Sequence, residues 1–313
     1  MSNNKPPNNK PPTRTTDKEP FKRLLNVAEE TEEEIINSFR KESEENDVFL
    51  AIIMPYIGAK IAPSKRLMAS IGFSEEFGIE TAINKIKETA PKPNRLYLVI
   101  NTFGGGVNSS YKVARALKMN FKDITVFIPH IAASGGTLIA LTGNQIVMGT
   151  MSHISPLDPQ VRGTSALSVA RGFKTVDDFF KETSEEEAPY TYKALANNYN
   201  AIMLDEAMAN LNLMKKYVRE ILTPKYPKIY CNYIAARLVE GFYTHDDVIT
   251  REEAQKLGLN AVPHTEHPKL WETFRILLDK YILTSESRHI IRYWVHTKQK
   301  EENQNESKEE RQK

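Results

Sequence analysis

The stretch Val126-Phe127-Ile128-Pro129-His130-Ile131-Ala132-Ala133-Ser134-Gly135-Gly136-Thr137-Leu138-Ile139-Ala140 holds the residues best suited to chemistry. An apolar strand pattern breaks into a small-residue turn that sets one serine, Ser134, at the start of an apolar helix. A hydroxyl there lies beside backbone N–H groups without intrahelical acceptors, which can stabilise an oxygen as it gains negative charge in acyl transfer. A second turn, Asn101-Thr102-Phe103-Gly104-Gly105-Gly106-Val107, follows the apolar run Leu96 to Ile100 and could supply the other half of an oxyanion pocket.

The elements around these turns read as an α/β pattern. Val48 to Ile57, Leu96 to Ile100, Ile124 to Ile128 and Gln145 to Met148 are apolar runs of strand length. Glu75 to Glu88 and Val107 to Met119 carry apolar residues at helical spacing. Strands alternating with helices predict parallel pairing in a layered domain with right-handed connections. Sites in such folds lie at the carboxyl ends of the strands, where both glycine turns fall. Gly163 to Pro189 reads as an exposed loop around Glu185-Glu186-Glu187. Tyr190 to Leu222 reads as one long amphipathic helix, with Leu195, Tyr199, Ile202, Met203, Ala207, Leu211, Met214, Val218 and Leu222 as its stripe. Tyr233 to Glu240 and Thr250 to Lys256 read as helices stopped by Gly241 and Gly258.

Composition narrows the classes. The 313 residues are 40% hydrophobic, enough for a core, and 42 basic against 40 acidic residues leave a net charge of +2. No whole-chain field points to nucleic acid or an anionic membrane. Cys231 is the single cysteine, which excludes an intrachain disulfide and a multi-cysteine metal site and suits a reducing cytoplasm; it reads as a small buried hydrophobe. No signal peptide, and no apolar run of the roughly 18 residues a membrane span needs, is legible. Residues 1–20 read as a disordered tail, 21–46 as a helical N-terminal extension, 263–297 as a C-terminal helical extension and 298–313 as a disordered charged tail, around a domain at 47–262.

At Ser134 the chain resembles the serine dehydrogenase proteinase family of the Clp protease, signal peptide peptidase A and crotonase superfamily. The resemblance runs from about Asp47 to Val262. It rests on residues 101–107, on Pro129 to Leu141, on Ser155-Pro156-Leu157-Asp158-Pro159-Gln160, and on Gly241-Phe242-Tyr243-Thr244-His245-Asp246 with Ile249 to Ala254 and Gly258-Leu259. It implies a Clp protease/crotonase-like ββα spiral core with additional helices at both ends, and a symmetric homo-oligomer. It also implies that Ser134 attacks the scissile carbonyl while the Gly105 and Gly135 amides bind the oxyanion. Glycine suits both positions, because it lets a backbone amide approach a substrate closely.

The resemblance leaves the base open, since the superfamily uses a Ser-His-Asp triad in some branches and a Ser-Lys dyad in others. His153, with Asp158 as a possible orienting group, and Lys174 are the two candidates; a lysine base would need a pKa strongly depressed by desolvation.

Other residues carry weaker signals. Asp246 and Asp247 beside His245 read as caps of a turn. His130 reads as a loop residue, and His264 and His267 are too isolated for a zinc site. Trp271, Tyr281, Tyr293 and Trp294 read as core or subunit interface. The expected function is a cytoplasmic serine peptidase acting on peptide or protein substrates, without metal or cofactor and without nucleic acid or a transmembrane segment. The alternatives are a catalytically silent assembly protein of the same fold and an acyl-CoA-handling enzyme.

Overall fold

A computed structural model describes residues 31–55, 70–184, 186–198, 200–284 and 288–297. The tails at 1–20 and 298–313, and Phe21 to Glu30 of the expected N-terminal helix, lie outside these residues. The frame is a six-stranded sheet in which five strands run parallel: β1 (Val48–Ile53), β2 (Arg95–Asn101), β3 (Asp123–Ile128), β5 (Gln145–Met148) and β9 (Ala261–Pro263), in that spatial order. All six residues of β1 and the last six of β2 are buried, as expected of parallel strands covered on both faces.

Each face has its own core. Leu50, Ile52, Leu98, Ile100, Val126 and Ile128 face one side, against helices α2 (Phe73–Thr89), α3 (Val107–Asn120) and α4 (Gly135–Ala140). Phe49, Ala51, Val99, Phe127 and Val147 face the other, against α1 (Glu32–Glu42) and a C-terminal helix, α10 (Pro268–Ile282).

A second, minor layer of pairing crosses the ends of these strands. β4 (Ile131–Ala132) pairs in parallel with β6 (His153–Ile154), and single bridges join Ile71 to Gly105, Thr102 to Ala132 and Ile154 to Ile249. A long strand, a short strand and a helix therefore follow one another, which is the ββα repeat of the Clp/crotonase architecture.

Three segments depart from the sequence reading. Residues 166–182, expected in a loop, form helix α5 (Ala166–Glu182), begun where the Ser165 hydroxyl accepts the Ser168 N–H. The preceding β7 (Gln160–Val161) and β8 (Thr164–Ser165) form a small antiparallel ladder. The expected long helix from Tyr190 is two, α6 (Tyr190–Asn198) and α7 (Ala201–Leu222), because the Asn200 side chain accepts from the Ile202 and Met203 amides and starts a new helix. The buried stripe accordingly begins at Ala207, and Leu195 and Ile202 are exposed.

The third departure lies at the C-terminal end, where the expected helical extension holds α10 but finishes in β10 (Ile290–Val295), an antiparallel strand that pairs with β1 from Val48↔Val295 to Ile53↔Ile290. The aromatic residues there serve the core: Trp294 stacks on Phe49 at 4.5 Å and Tyr281 is buried. Of the remaining helices, α8 (Lys228–Glu240) ends where expected but begins at Lys228 rather than Tyr233, and α9 (Arg251–Lys256) opens with a capping box between Thr250 and Glu253.

Candidate active site

β2 and β3 end side by side, and their two turns are stitched together. The Thr102 N–H donates to the Ile131 carbonyl and the Ala133 N–H to the Thr102 carbonyl, both at 2.9 Å. The contact is close: a Cβ built on Gly104 would lie 2.9 Å from Ser134 Cβ and 2.7 Å from the Gly135 nitrogen. Gly104 also has φ of +93°, a left-handed conformation that side chains resist.

Ser134 itself stands at φ +49° and ψ −118°, a strained backbone for a residue with a side chain, and is half-buried. Such strain costs on the order of 1–3 kcal/mol and persists where the surroundings over-determine it. Its hydroxyl makes no cap bond to the helix it precedes, so the bland role of N-cap is not the one it plays.

The free donors follow from bonds already made. The Ser134 N–H donates to the Ser155 hydroxyl at 2.8 Å, and the Gly136 N–H to the Ala133 carbonyl at 2.7 Å. In the other turn the Gly104 N–H donates to Thr102 Oγ1 and the Gly106 N–H to the Ile71 carbonyl. The Gly104 carbonyl accepts the Ile71 N–H at 2.9 Å. A trans peptide points its C=O and N–H in opposite directions, so the Gly105 N–H faces away from Ile71. That direction leads to Gly135: a Cβ built there would lie 3.2 Å from the Gly105 nitrogen. Among the described residues neither the Gly105 nor the Gly135 N–H has an acceptor.

Ser155, which the sequence offers only as the first residue of a motif, is fixed in turn. Its N–H donates to the Thr137 hydroxyl at 3.1 Å, locking the segment after β6 onto α4. The remaining candidates are spread out. His153 is half-buried on β6, with its N–H on the His130 carbonyl at 3.0 Å and the two imidazole centroids 6.2 Å apart. Burial lowers the pKa of both histidines; for His130 the neighbouring His153 adds to this, and for His153 a bond to the Met151 carbonyl partly opposes it.

Asp158 does not orient His153. Its buried carboxylate is taken by the Ser165 hydroxyl and, at 3.0 Å, by the Leu167 N–H, where it holds the start of α5. Lys174 lies on the exposed side of α5. Asp247 closes the turn after α8 by accepting the Tyr243 and Thr244 amides. His264 packs on Trp271 and His267 bonds Gln145. Among the described residues no three His, Cys, Asp or Glu side chains converge, and no helix is long and apolar enough to cross a membrane.

Comparison with known proteins gives the family of the chain. The sequence model of the ClpP-like SDH-type serine proteinases matches residues 74–308, and the chain belongs to that family. Two curated relatives from Methanocaldococcus jannaschii are the uncharacterized proteins MJ0137, 33% identical over 55% of this chain and 54% of its own, and MJ1495, 31% identical over 54% and 52%. The chain thus spans about half the length of the curated relatives it matches. Among solved structures, a point mutant of the 1510-N membrane-bound stomatin-specific protease overlaps 62% of this chain and 75% of its own, at 17% identity and a TM-score of 0.39. A second mutant, in complex with a substrate peptide, overlaps 62% and 71% at 18% identity, again at a TM-score of 0.39.

Proposed function

We propose that the protein is a serine peptidase that cleaves peptide bonds through an acyl-enzyme on Ser134. One observation carries the reading: a strained serine stands between two backbone N–H groups, of Gly105 and Gly135, that have no other acceptor among the described residues. In the reaction the Ser134 oxygen attacks the carbonyl carbon and gives up its proton to a base. The carbonyl oxygen becomes an oxyanion held by the two amides, and the base then protonates the departing amine. Water, giving its proton to the same base, hydrolyses the resulting ester.

Between the two candidate bases the observations favour His153. Burial lowers its pKa, which favours the neutral imidazole a general base needs. It stands two residues before Ser155, whose hydroxyl accepts the Ser134 N–H. Lys174 is exposed on α5, without the desolvation that a lysine base requires. The symmetric oligomer and a cytoplasmic location belong to this proposal. Free, buried Cys231 suits a reducing compartment, and exposed Phe73 and Phe77 offer apolar surface for contact between copies.

Labelling with a fluorophosphonate tests the reading. Wild-type protein becomes labelled and hydrolyses peptides, and Ser134→Ala does neither while melting at the same temperature. Equal labelling of wild type and Ser134→Ala would overturn it. An unlabelled, inactive wild-type protein would favour the silent assembly role instead.

A further inference from the structure

Behind the glycine turn lies a chain of buried polar groups that the reaction scheme above does not use. His289, the residue before β10, has its Nε2 2.7 Å from Thr102 Oγ1, across 187 positions of sequence. Its Nδ1 is 3.5 Å from Glu75 Oε1, within ion-pair range, and has no closer acceptor among the described residues. The side chains are 0% and 3% exposed, respectively. We propose that Glu75, His289 and Thr102 form a relay of positioning residues that fixes the Gly104–Gly105 peptide and so aims the Gly105 N–H into the oxyanion pocket. The inference rests on the hydrolase reading of that pocket.

The geometry argues for it from both ends of one peptide unit. Thr102 Oγ1 accepts the Gly104 N–H at 3.0 Å. In the relay the Thr102 hydroxyl gives its proton to His289 Nε2, and the ring carries its own on Nδ1, the nitrogen that faces Glu75. The opposite face of the turn is held by Ile71, which donates to the Gly104 carbonyl and accepts from the Gly106 N–H. Glu75 governs this side too, since its Oε2 accepts the N–H of Gly72, the next residue, at 2.8 Å, and the Ser74 hydroxyl at 2.9 Å. Both clamps on the turn therefore converge on one carboxylate. Burial alone would raise the Glu75 pKa, but the neighbouring His289 ring and the bonds from Gly72 and Ser74 hold it below the ordinary carboxylate range.

A carboxylate and an imidazole in a dry interior are a costly way to fill space, because desolvation offsets their attraction and packed hydrocarbon would stabilise at least as well. What the polar pair adds is direction. A hydrogen-bonded chain fixes the rotation of the Gly104 peptide, which has no side chain of its own to restrain it, and a misaim of about 1 Å can cost 100-fold in rate.

The test is Thr102→Val, which keeps the shape and removes the hydroxyl, with Thr102→Ser as its rescue. The relay predicts a fall of about 10- to 100-fold in the rate of fluorophosphonate labelling and in kcat for Thr102→Val, with KM within about twofold. Thr102→Ser returns both to within about threefold of wild type. Amide exchange at Gly104 quickens in the valine variant while exchange across β1 to β3 does not. Should Thr102→Val fail to fold, His289→Gln, whose amide can still accept from Thr102 but cannot reach Glu75, is expected to show the same loss in kcat at unchanged KM. Wild-type labelling rates in either folded variant overturn the relay while leaving the hydrolase reading intact. If wild-type protein is not labelled at Ser134, the hydrolase reading fails, and the catalytic purpose of the relay with it.

Discussion

The backbone N–H of Ser134 is bonded to the hydroxyl of Ser155 at 2.8 Å, so the amide of the proposed nucleophile is withdrawn from the proposed oxyanion pocket and used to hold its turn. Ser155→Ala leaves that half-buried donor without its partner. The expected cost is about 1–2 kcal/mol in denaturant unfolding. Because the turn then loosens, kcat falls by about 10-fold or more; unchanged kcat would separate the bond from catalysis.

Strain at Ser134 makes a second prediction. At φ +49° a glycine is comfortable and an alanine is not. Ser134→Gly should therefore raise the unfolding free energy by about 1 kcal/mol, whereas Ser134→Ala leaves it unchanged. Both variants are inactive, so the comparison isolates the stability given up at the site; denaturant midpoints decide it.

The close approach of the turns predicts a rescue. A Cβ added at Gly135 would fall 2.1 Å from Ser110 Oγ and 2.9 Å from Ser110 Cβ, both atoms of one side chain. Gly135→Ala should cost about 1–3 kcal/mol, and adding Ser110→Gly should recover much of it. Gly104→Ala has no such remedy, because its Cβ would meet the Ala133 carbonyl at 2.5 Å and the Gly135 nitrogen at 2.7 Å. Unfolding of the singles and the double variant measures the coupling.

If His153 is the base, activity must follow its neutral form. Burial lowers its pKa below the ordinary histidine value near 6.5, so kcat/KM should stay level as pH falls through 7 and decline only below about 6.5. His153→Gln abolishes activity and the acid limb with it. A limb well above pH 7 that survives in His153→Gln would assign the base to an amine.

Lys225 supplies a pH effect on stability that is independent of catalysis. Its ammonium is buried against the Leu141 and Gly143 carbonyls at the end of α4, and burial, with repulsion from Lys118, pushes its pKa down to about 7. Between pH 7 and the ordinary lysine value near 10.4 the unfolded chain holds a proton here that the folded chain does not. Stability therefore rises with pH across that window, by up to about 1.4 kcal/mol per unit, and is lost as pH falls toward 7. Lys225→Met should flatten the slope in urea titrations.

Legibility in the sequence tracked locality. The two glycine turns and the strands before them were readable because each is a short apolar run ending in small residues. Helix α5 was not, since the segment begins at Gly163 and ends in an acidic cluster, and its helical start depends on the Ser165 cap. The break before α7 hung on a single side chain, Asn200, inside an otherwise continuous apolar stripe. Asp158 looked like a partner for His153 because they are near in sequence, yet its oxygens serve the chain on the other side, at Ser165 and Leu167. Ser155 was visible only as part of a motif, and nothing in the spacing of Glu75, Thr102 and His289 signals that three distant segments meet.

The pairing of β10 with β1 has a consequence for synthesis on the ribosome. Val48 finds its partner, Val295, only after almost every other described residue has emerged, so the first strand made spends longest with an open edge. His289 arrives with that same last strand. On the proposed relay, a growing chain carries Glu75, Thr102 and Ser134 long before His289 is made, so the Gly104–Gly105 peptide gains its last support only when β10 is complete.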